Sequence, residues 1–518
     1  MLKVEVSKKI KIILFMLLLI QNIVIRIPSI PHEKGFDSFY IHALANSITT
    51  YGQAHWWITW LSVYGLYPES YASALPFLLS GMSQLLGLTG IYMEKSILIY
   101  SMLIGIYSVF TAYIFAGLIY KDFLLRYLLA LFFSTCQGVL VFSTWEPSAR
   151  GLFVIVLPLY IFILLSEINF SKKIVLLLIC GTFLASTHHY YYFIFPFTAI
   201  YFFLVLSSRM SSNKIKSRSK YLKFNYLYII GLLTTFMIPF FSESMIKAGS
   251  RYGWIIDMFK MDTRYIGPLI IFAISGVIYL TFKENKSKEE WYFLIVMLVL
   301  TPFNYNNTYG TFIILLYLIV FASISFRNLL DISRKSKICR LSIIILILLS
   351  TMFSSYYNHG RTNNMGNNWF MLDSTYSASE WSNKYIPENT YGFGIGESNR
   401  LFSASDAHPI MPMGGASDLA YGFTSISEIN VTKVSPGSAS YYLEGPYSAE
   451  KVIDIPGKLR WVLENDIDYR GVKPILETYN FSYFIMPSTD SGIGTQSIRS
   501  KKSSIFDDGG ISIWIIDR

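Results

Sequence analysis

Asp37 and Glu146 are the acidic residues of this sequence best placed to do chemistry. Asp37 opens the segment Gly35-Phe-Asp-Ser-Phe-Tyr-Ile-His-Ala-Leu-Ala-Asn46, where helical spacing turns Phe39, Ala43 and Leu44 to one face. An Asp at the start of a helix either caps it, by accepting backbone N–H bonds, or offers a carboxylate that binds a metal or takes a proton from an acceptor hydroxyl. Glu146 and Arg150 stand four residues apart in Ser143-Thr-Trp-Glu-Pro-Ser-Ala-Arg150. They form a local ion pair or a site for a metal or phosphate. His188 and His189 lie in Ser186-Thr-His-His-Tyr-Tyr-Tyr192, either solvated at a boundary or touching substrate. Adjacent histidines do not have the three- or four-residue spacing that metal ligands use on a helix. Arg251, Lys260 and Arg264 accompany Asp257 and Asp262 in a loop read as 247 to 264, where they pair with one another or bind a lipid phosphate.

These residues hang between long apolar runs. The chain has 518 residues, 53% of them hydrophobic and only 15% charged, which points to a bilayer rather than to a soluble core. Against the roughly 20 residues that cross a membrane, eleven spans are expected, near 10–27, 96–119, 125–143, 151–166, 174–187, 190–207, 226–245, 265–282, 291–303, 311–326 and 341–357. In the first, Lys8, Lys9 and Lys11 precede the apolar run Ile12–Ile27, which has no A-x-A cleavage pattern and reads as a retained anchor.

Positive residues decide the topology, because short cytoplasmic loops concentrate them. The segment 72–90, which carries Pro76, Gly81, Gln84 and Gly87, is the ambiguous one. If it does not cross, the cytoplasmic loops hold 22 of the 30 Lys and Arg residues before position 358; if it does, 18 of those 22 fall outside. It is therefore read as an amphipathic helix on the outer surface. The first external loop then runs from about 28 to 95, the N-terminus is cytoplasmic, and the domain 358–518 is extracytoplasmic. That domain has 13 basic and 18 acidic residues, so the overall charge of +10 belongs to membrane loops and speaks against a nucleic-acid partner.

The C-terminal domain shows helical signals at Tyr376–Tyr385 and Lys458–Asn465, and strand-like runs at Thr390–Ile395, Phe481–Met486 and Ile511–Ile516. Asp507-Asp-Gly-Gly510 reads as a turn between the last two strands. The fold class is thus an all-α polytopic membrane domain over 1–357 followed by a small α/β extracytoplasmic domain over 358–518. Cys136, Cys180 and Cys339 lie in or beside the apolar runs, so no disulfide framework holds the exported part. The sequence has no phosphate-binding loop, no G-x-S-x-G elbow and no Cys/His metal spacing.

Taken together, an anchor helix, a long first loop with an early acidic residue (Asp37), the Pro-bearing run Tyr67-Pro to Pro76-Phe-Leu-Leu, a second loop with Glu146, and a terminal soluble domain resemble the GT-C superfamily of integral-membrane glycosyltransferases. Ser379-Glu-Trp-Ser-Asn-Lys-Tyr-Ile-Pro387 is similar to a segment that follows the last span in archaeal members. The resemblance implies transfer of a sugar from a polyprenyl-phosphate or pyrophosphate donor to a glycan, lipid or protein acceptor on the external face of a plasma membrane. Asp37 and Glu146 would be the catalytic carboxylates, with a divalent cation (Mg or Mn) as the cofactor they could share. His42, Arg150, His188, His189, Arg251 and Arg264 would bind substrate or the lipid phosphate. The sequence departs from oligosaccharyltransferases in lacking a Trp-Trp-Asp motif in its external domain and in having one acidic residue, not two, in the second loop. The competing class is a non-enzymatic envelope-glycan transporter or an anchor for an external binding domain.

Overall fold

The structure, a computed structural model, describes residues 7–51, 74–211, 218–241, 253–304, 308–333, 336–364, 371–387, 391–394, 410–411, 431–433, 447–449, 462, 464–478 and 481–516. The chain divides into two units, one of residues 1–27, 102–144 and 150–360, the other of 28–101, 145–149 and 361–518. The second unit therefore gathers the first long loop, the tip of the second loop and the C-terminal segment.

In the first unit all the described elements are helices: α1 (Lys8–Val24), most of α4 (Met93–Ile119), α5 (Phe123–Thr135), the single turn α6 (Gln137–Leu140), α7 (Ala149–Leu165), α8 (Phe170–Thr187), α9 (Ile194–Ser211), α10 (Arg218–Phe241), α11 (Gly253–Ile266), α12 (Leu269–Phe282), α13 (Lys288–Leu300), α14 (Thr308–Ile332) and α15 (Lys337–Asn364). Local capping starts several of them. Ser7 accepts from Ile10 N–H, Asp122 from Leu125 N–H, and Ser287 forms a reciprocal capping box with Glu290. Every one of the eleven predicted stretches contains helix. Five described helices are by themselves long and apolar enough to cross a membrane: Gly90–Ile119, Phe170–Thr187, Tyr190–Ser207, Phe312–Ile332 and Lys337–His359.

Two expectations need correction. The stretch 125–143 is not one rod, because Cys136 adopts an extended backbone (φ −69°, ψ 151°) that ends α5 and starts α6. The segment read as a loop at 247–264 contains α11, which meets α12 at 108° across Gly267 and Pro268. Gly267 has φ +63°, a turn that a side chain would strain. Ile255, Ile256 and Phe259 are exposed on α11 beside Asp257 and Lys260, the pattern of an amphipathic helix rather than of a polar loop.

α14 is buried on every side from Phe312 to Ser325, as expected of a helix hydrophobic all round. It packs tightly on α12, where Gly276 lies so near Phe321 that an added Cβ would stand 2.6 Å from the Phe321 carbonyl carbon. Small residues at such crossings let backbones approach. At the end of α1, Arg26 is fully buried and held by neutral acceptors. Its Nε donates to Ser143 Oγ (3.1 Å), Nη1 to Asn22 Oδ1 (2.7 Å) and Asn22 O (3.1 Å), and Nη2 to Ser134 O (3.0 Å). Gly105 leaves room for it, since a Cβ there would lie 2.7 Å from the guanidinium carbon.

In the second unit, α2 (Phe36–Tyr51) packs against α3 (Ala74–Leu86), the segment anticipated as an amphipathic helix. Leu75, Leu79, Ser80 and Ser83 form its buried face, and Ser80 bonds Thr49 at 2.8 Å. The C-terminal part carries α16 (Asp373–Tyr385), strands β1 (Tyr391–Gly394), β2 (Ile410–Met411), β3 (Val431–Lys433), β4 (Tyr447–Ala449), β5 (Phe481–Pro487), β6 (Ser504–Asp507) and β7 (Ile511–Ile515), and the short helices α17 (Val472–Thr478) and α18 (Ile493–Lys501). Five strands form one sheet in the order β2-β1-β5-β7-β6, parallel between β2, β1 and β5 and antiparallel thereafter; β3 and β4 pair separately. Ala378 and Ile386 of the α16 region cover Tyr483, Ile485, Ile511 and Ile513 of the sheet. The predicted turn is built by Asp508, whose Oδ1 accepts from Gly510 and Ile511 N–H at 2.9 and 2.8 Å. Of the predicted helix at 458–465, only Val462, Glu464 and Asn465 are among the described residues. The molecule is a helical membrane protein with a small α/β domain, and its three cysteines are free.

Candidate active site

The residues that lead into α2 form a compact set within the second unit. Glu33 is fully buried and faces two partners. Its Oε1 lies 2.6 Å from His42 Nδ1, and its Oε2 accepts from Ser38 Oγ at 3.0 Å. The other ring nitrogen of His42 lies 3.3 Å from Gly90 O. Burial works against a charged imidazole, but the Glu33 carboxylate outweighs it and raises the His42 pKa above the usual value. Glu33 and His42 thus tie the chain before α2 to the second turn of that helix.

Between these anchors the backbone meets the second loop. Lys34 N–H donates to Trp145 O at 3.2 Å. Gly35, at φ +94°, then packs directly on Glu146: a Cβ at this position would lie 2.7 Å from Glu146 Cδ and 2.8 Å from Oε1. Only glycine suits both the conformation and the space. Asp37 follows two residues later, in the first turn of α2, which begins one residue ahead of it at Phe36. The two carboxylate-bearing segments singled out in the sequence are therefore in contact at Gly35 and Glu146, 111 positions apart.

Trp145 aims Glu146. Its backbone is left-handed at φ +55°, the one such non-glycine conformation among the described residues. Strain of this kind persists where surroundings impose it. Here Trp145 N–H donates to Ser101 Oγ (3.2 Å) and its indole N–H to Glu94 O (3.2 Å), besides the Lys34 bond to its carbonyl. Glu146 itself is buried, with 4% of its surface exposed.

A second imidazole secures the loop from the other side. His32 Nδ1 lies 3.1 Å from Glu94 Oε2, its Nε2 lies 3.2 Å from Asp373 Oδ1, and its ring stacks on Tyr376 at 4.1 Å. Although burial opposes the charge, Glu94 and then Asp373 raise the His32 pKa. Met371 N–H donates to Glu33 O at 3.0 Å, and Phe39, Ile91 and Met371 form a small apolar core.

Among the residues singled out in the sequence, Asp37, His42 and Glu146 belong to this unit; Arg150, His188, His189 and Arg264 belong to the other. Arg150 is the second residue of α7, its guanidinium 6.0 Å from the Phe142 ring centre. His188 caps α8, with Nδ1 accepting from Tyr190 N–H at 3.2 Å, and His189 opens the following 3-10 turn. Arg264 is exposed in the last turn of α11, 5.9 Å from the Tyr265 ring centre. Arg251 and the side chains of Asp37 and His189 lie outside the described residues. Glu33, Gly35, His32 and Glu94 escaped sequence reading. The nine-residue spacing of Glu33 and His42 follows no helical repeat; Gly35 just ahead of Asp37 is the one local signal of a tight approach.

No family model matches the chain, and no curated protein sequence matches it significantly. Solved structures do match. The archaeal oligosaccharyltransferase AglB from Archaeoglobus fulgidus, solved with an inhibitory peptide and a dolichol-phosphate, is 11% identical over 92% of this chain and 69% of its own, with a TM-score of 0.56. ArnT from Cupriavidus metallidurans, bound to undecaprenyl phosphate, is 8% identical over 98% of both chains, with a TM-score of 0.55. The mycobacterial arabinofuranosyltransferase AftD is 10% identical over 99% of this chain and 42% of its own, with a TM-score of 0.50. The likeness to these three structures is one of fold, and it is the fold that the resemblance read from the sequence implies.

Proposed function

We propose that this protein is a membrane glycosyltransferase that moves a sugar from a polyprenyl-phosphate-linked donor to an acceptor on the external face of the membrane. The observation that carries the reading is the packing of the Glu146 carboxyl on Gly35, two residues before Asp37, in a chain with the fold of AglB, ArnT and AftD. A polyprenyl chain stays in the bilayer while its phosphate and sugar sit at the interface, which is where a loop between an anchor helix and the next span lies. The N-terminus is cytoplasmic and the C-terminal domain external in this reading.

Asp37 takes the proton from the acceptor hydroxyl as its oxygen attacks the anomeric carbon. The bond from that carbon to the phosphate oxygen breaks, and polyprenyl phosphate leaves with the electron pair. Arg150, Arg264, Arg251 and the histidines 188 and 189 are the groups assigned to the phosphate charge. His42 has both ring nitrogens engaged by Glu33 and Gly90, so its part is to hold the loop. Glu146 and Asp37 are the carboxylates suited to a divalent cation, which would neutralise the leaving phosphate. In support, the Archaeoglobus oligosaccharyltransferase has also been solved with Zn and sulfate (12% identity, TM-score 0.57). Among the described residues no group of three or more His, Cys, Asp and Glu is arranged for a metal, and the Asp37 side chain lies outside that set.

The test is sugar transfer from radiolabelled polyprenyl-phosphate sugars by membranes holding equal amounts of folded wild type and Asp37→Asn. Loss of a positioned base predicts a fall of about 10²–10⁴-fold. Equal transfer by both would remove Asp37 from the mechanism.

A further inference from the structure

We propose that α1, α4 and α5 form a binding groove for one anionic phospholipid of the leaflet that holds the N-terminus. The groove has a volume of about 420 Å³ and is lined by Lys8, Lys11, Phe15, Phe110, Tyr113 and Phe123 among others. Phe15 packs edge-on against Phe110 and Tyr113, at 5.5 and 5.0 Å between ring centres, and so makes an apolar floor. The two ammonium groups stand at one end only, with Lys11 Nζ 6.0 Å from the centre of the Phe123 ring.

Charge decides the occupant. Among the described residues no acidic side chain lines the groove, and none lies in the first turn of α1. Asp122, next to Phe123 in the chain, is engaged by Arg327 at 3.1 Å. From Lys8 to Phe15 the helix rises about 10 Å, less than the roughly 15 Å of hydrocarbon in one leaflet. A lipid lying here places its phosphate and anionic head group on Lys8 and Lys11 and one acyl chain along Phe15 and Tyr113. A neutral head group gains no such attraction, and this site is independent of the transferase reading.

The full-length protein in nanodiscs is labelled with phosphatidylglycerol or phosphatidylcholine bearing a photoreactive group on one acyl chain, and the labelled peptides are mapped by mass spectrometry. Labelling of peptides containing residues 8–16 and 110–113 is expected to favour phosphatidylglycerol, by about five-fold for each lysine engaged. The Lys8→Gln/Lys11→Gln variant, whose changes lie at an open helix end, should bring the two lipids to parity without altering phosphatidylcholine labelling. Equal labelling in the wild type, a preference that survives the double substitution, or labels mapping only to other helices would overturn the assignment. So would displacement of phosphatidylglycerol by a stoichiometric amount of polyprenyl phosphate, which would make the groove a carrier site.

Discussion

Gly35 and Glu146 touch so closely that the groove between them is filled by the carboxyl itself: a methyl group on Gly35 would lie 2.8 Å from Glu146 Oε1. Gly35→Ala must therefore displace the carboxyl and also occupy φ +94°, a region closed to most side chains. The strain is of order 1–3 kcal/mol, too little to unfold most membrane proteins. The expected result is a folded protein whose transfer activity falls at least about as far as when Glu146 is replaced by Gln, measured at equal expression.

Glu33 and His42 make a buried ion pair, and breaking such a pair from one side costs about 3–5 kcal/mol. Glu33→Gln should lower the thermal unfolding temperature in detergent, and the penalty should depend on pH. Because the folded-state pKa of His42 is raised, its contribution is complete below the usual imidazole value of about 6.5 and disappears as pH climbs through the elevated one. The gap between wild type and variant should be widest near pH 6 and shrink toward pH 9. A gap that widens with pH would contradict this.

His32 has a raised pKa too, but Asp373 is mostly exposed, so solvent screens that half of the contact. Asp373→Asn should cost no more than about 1 kcal/mol, and only below the elevated pKa of His32. His32→Asn should cost more, because it also strips the stack on Tyr376 and the bond to Glu94. Chemical denaturation of the two variants at pH 6 and pH 9 separates these contributions.

Arg26 satisfies Asn22, Ser134 and Ser143 without a carboxylate partner in the same cluster. Arg26→Met leaves those acceptors buried and unmet, a loss of about 2–4 kcal/mol. Lys in its place restores the charge but not the fork. Unfolding in SDS should rank wild type above Arg26→Lys and Arg26→Lys above Arg26→Met.

The helices were legible because their signal is local: apolar runs of bilayer length, with Ser, Asp and Asn ready to cap them. Strands β5 and β7 and the Asp507–Gly510 turn were equally plain. Where sequence reading fell short, the cause was distance along the chain. The break at Cys136 leaves no Pro or Gly mark before it, and α11 looked like a loop because four charged residues hide its apolar stripe. At the candidate site, Asp37 and Glu146 stood out as acidic residues beside apolar runs. Their supports did not. Glu33, Glu94 and Asp373 look like any surface carboxylates until the fold brings His42 and His32 to them.

The second unit is assembled from three separate stretches, which gives it a history during synthesis. His32 meets Asp373, 341 positions downstream, and Glu33 receives the N–H of Met371. At roughly 5–20 residues per second on the ribosome, the segment that carries Asp37 waits on the order of 17–70 s for these partners. A nascent chain halted at residue 360 would contain the membrane helices and both carboxylates, yet lack Met371, Asp373 and Tyr376. Maturation of the loop is thereby tied to the last third of translation, and an unfinished chain presents it without its clasp.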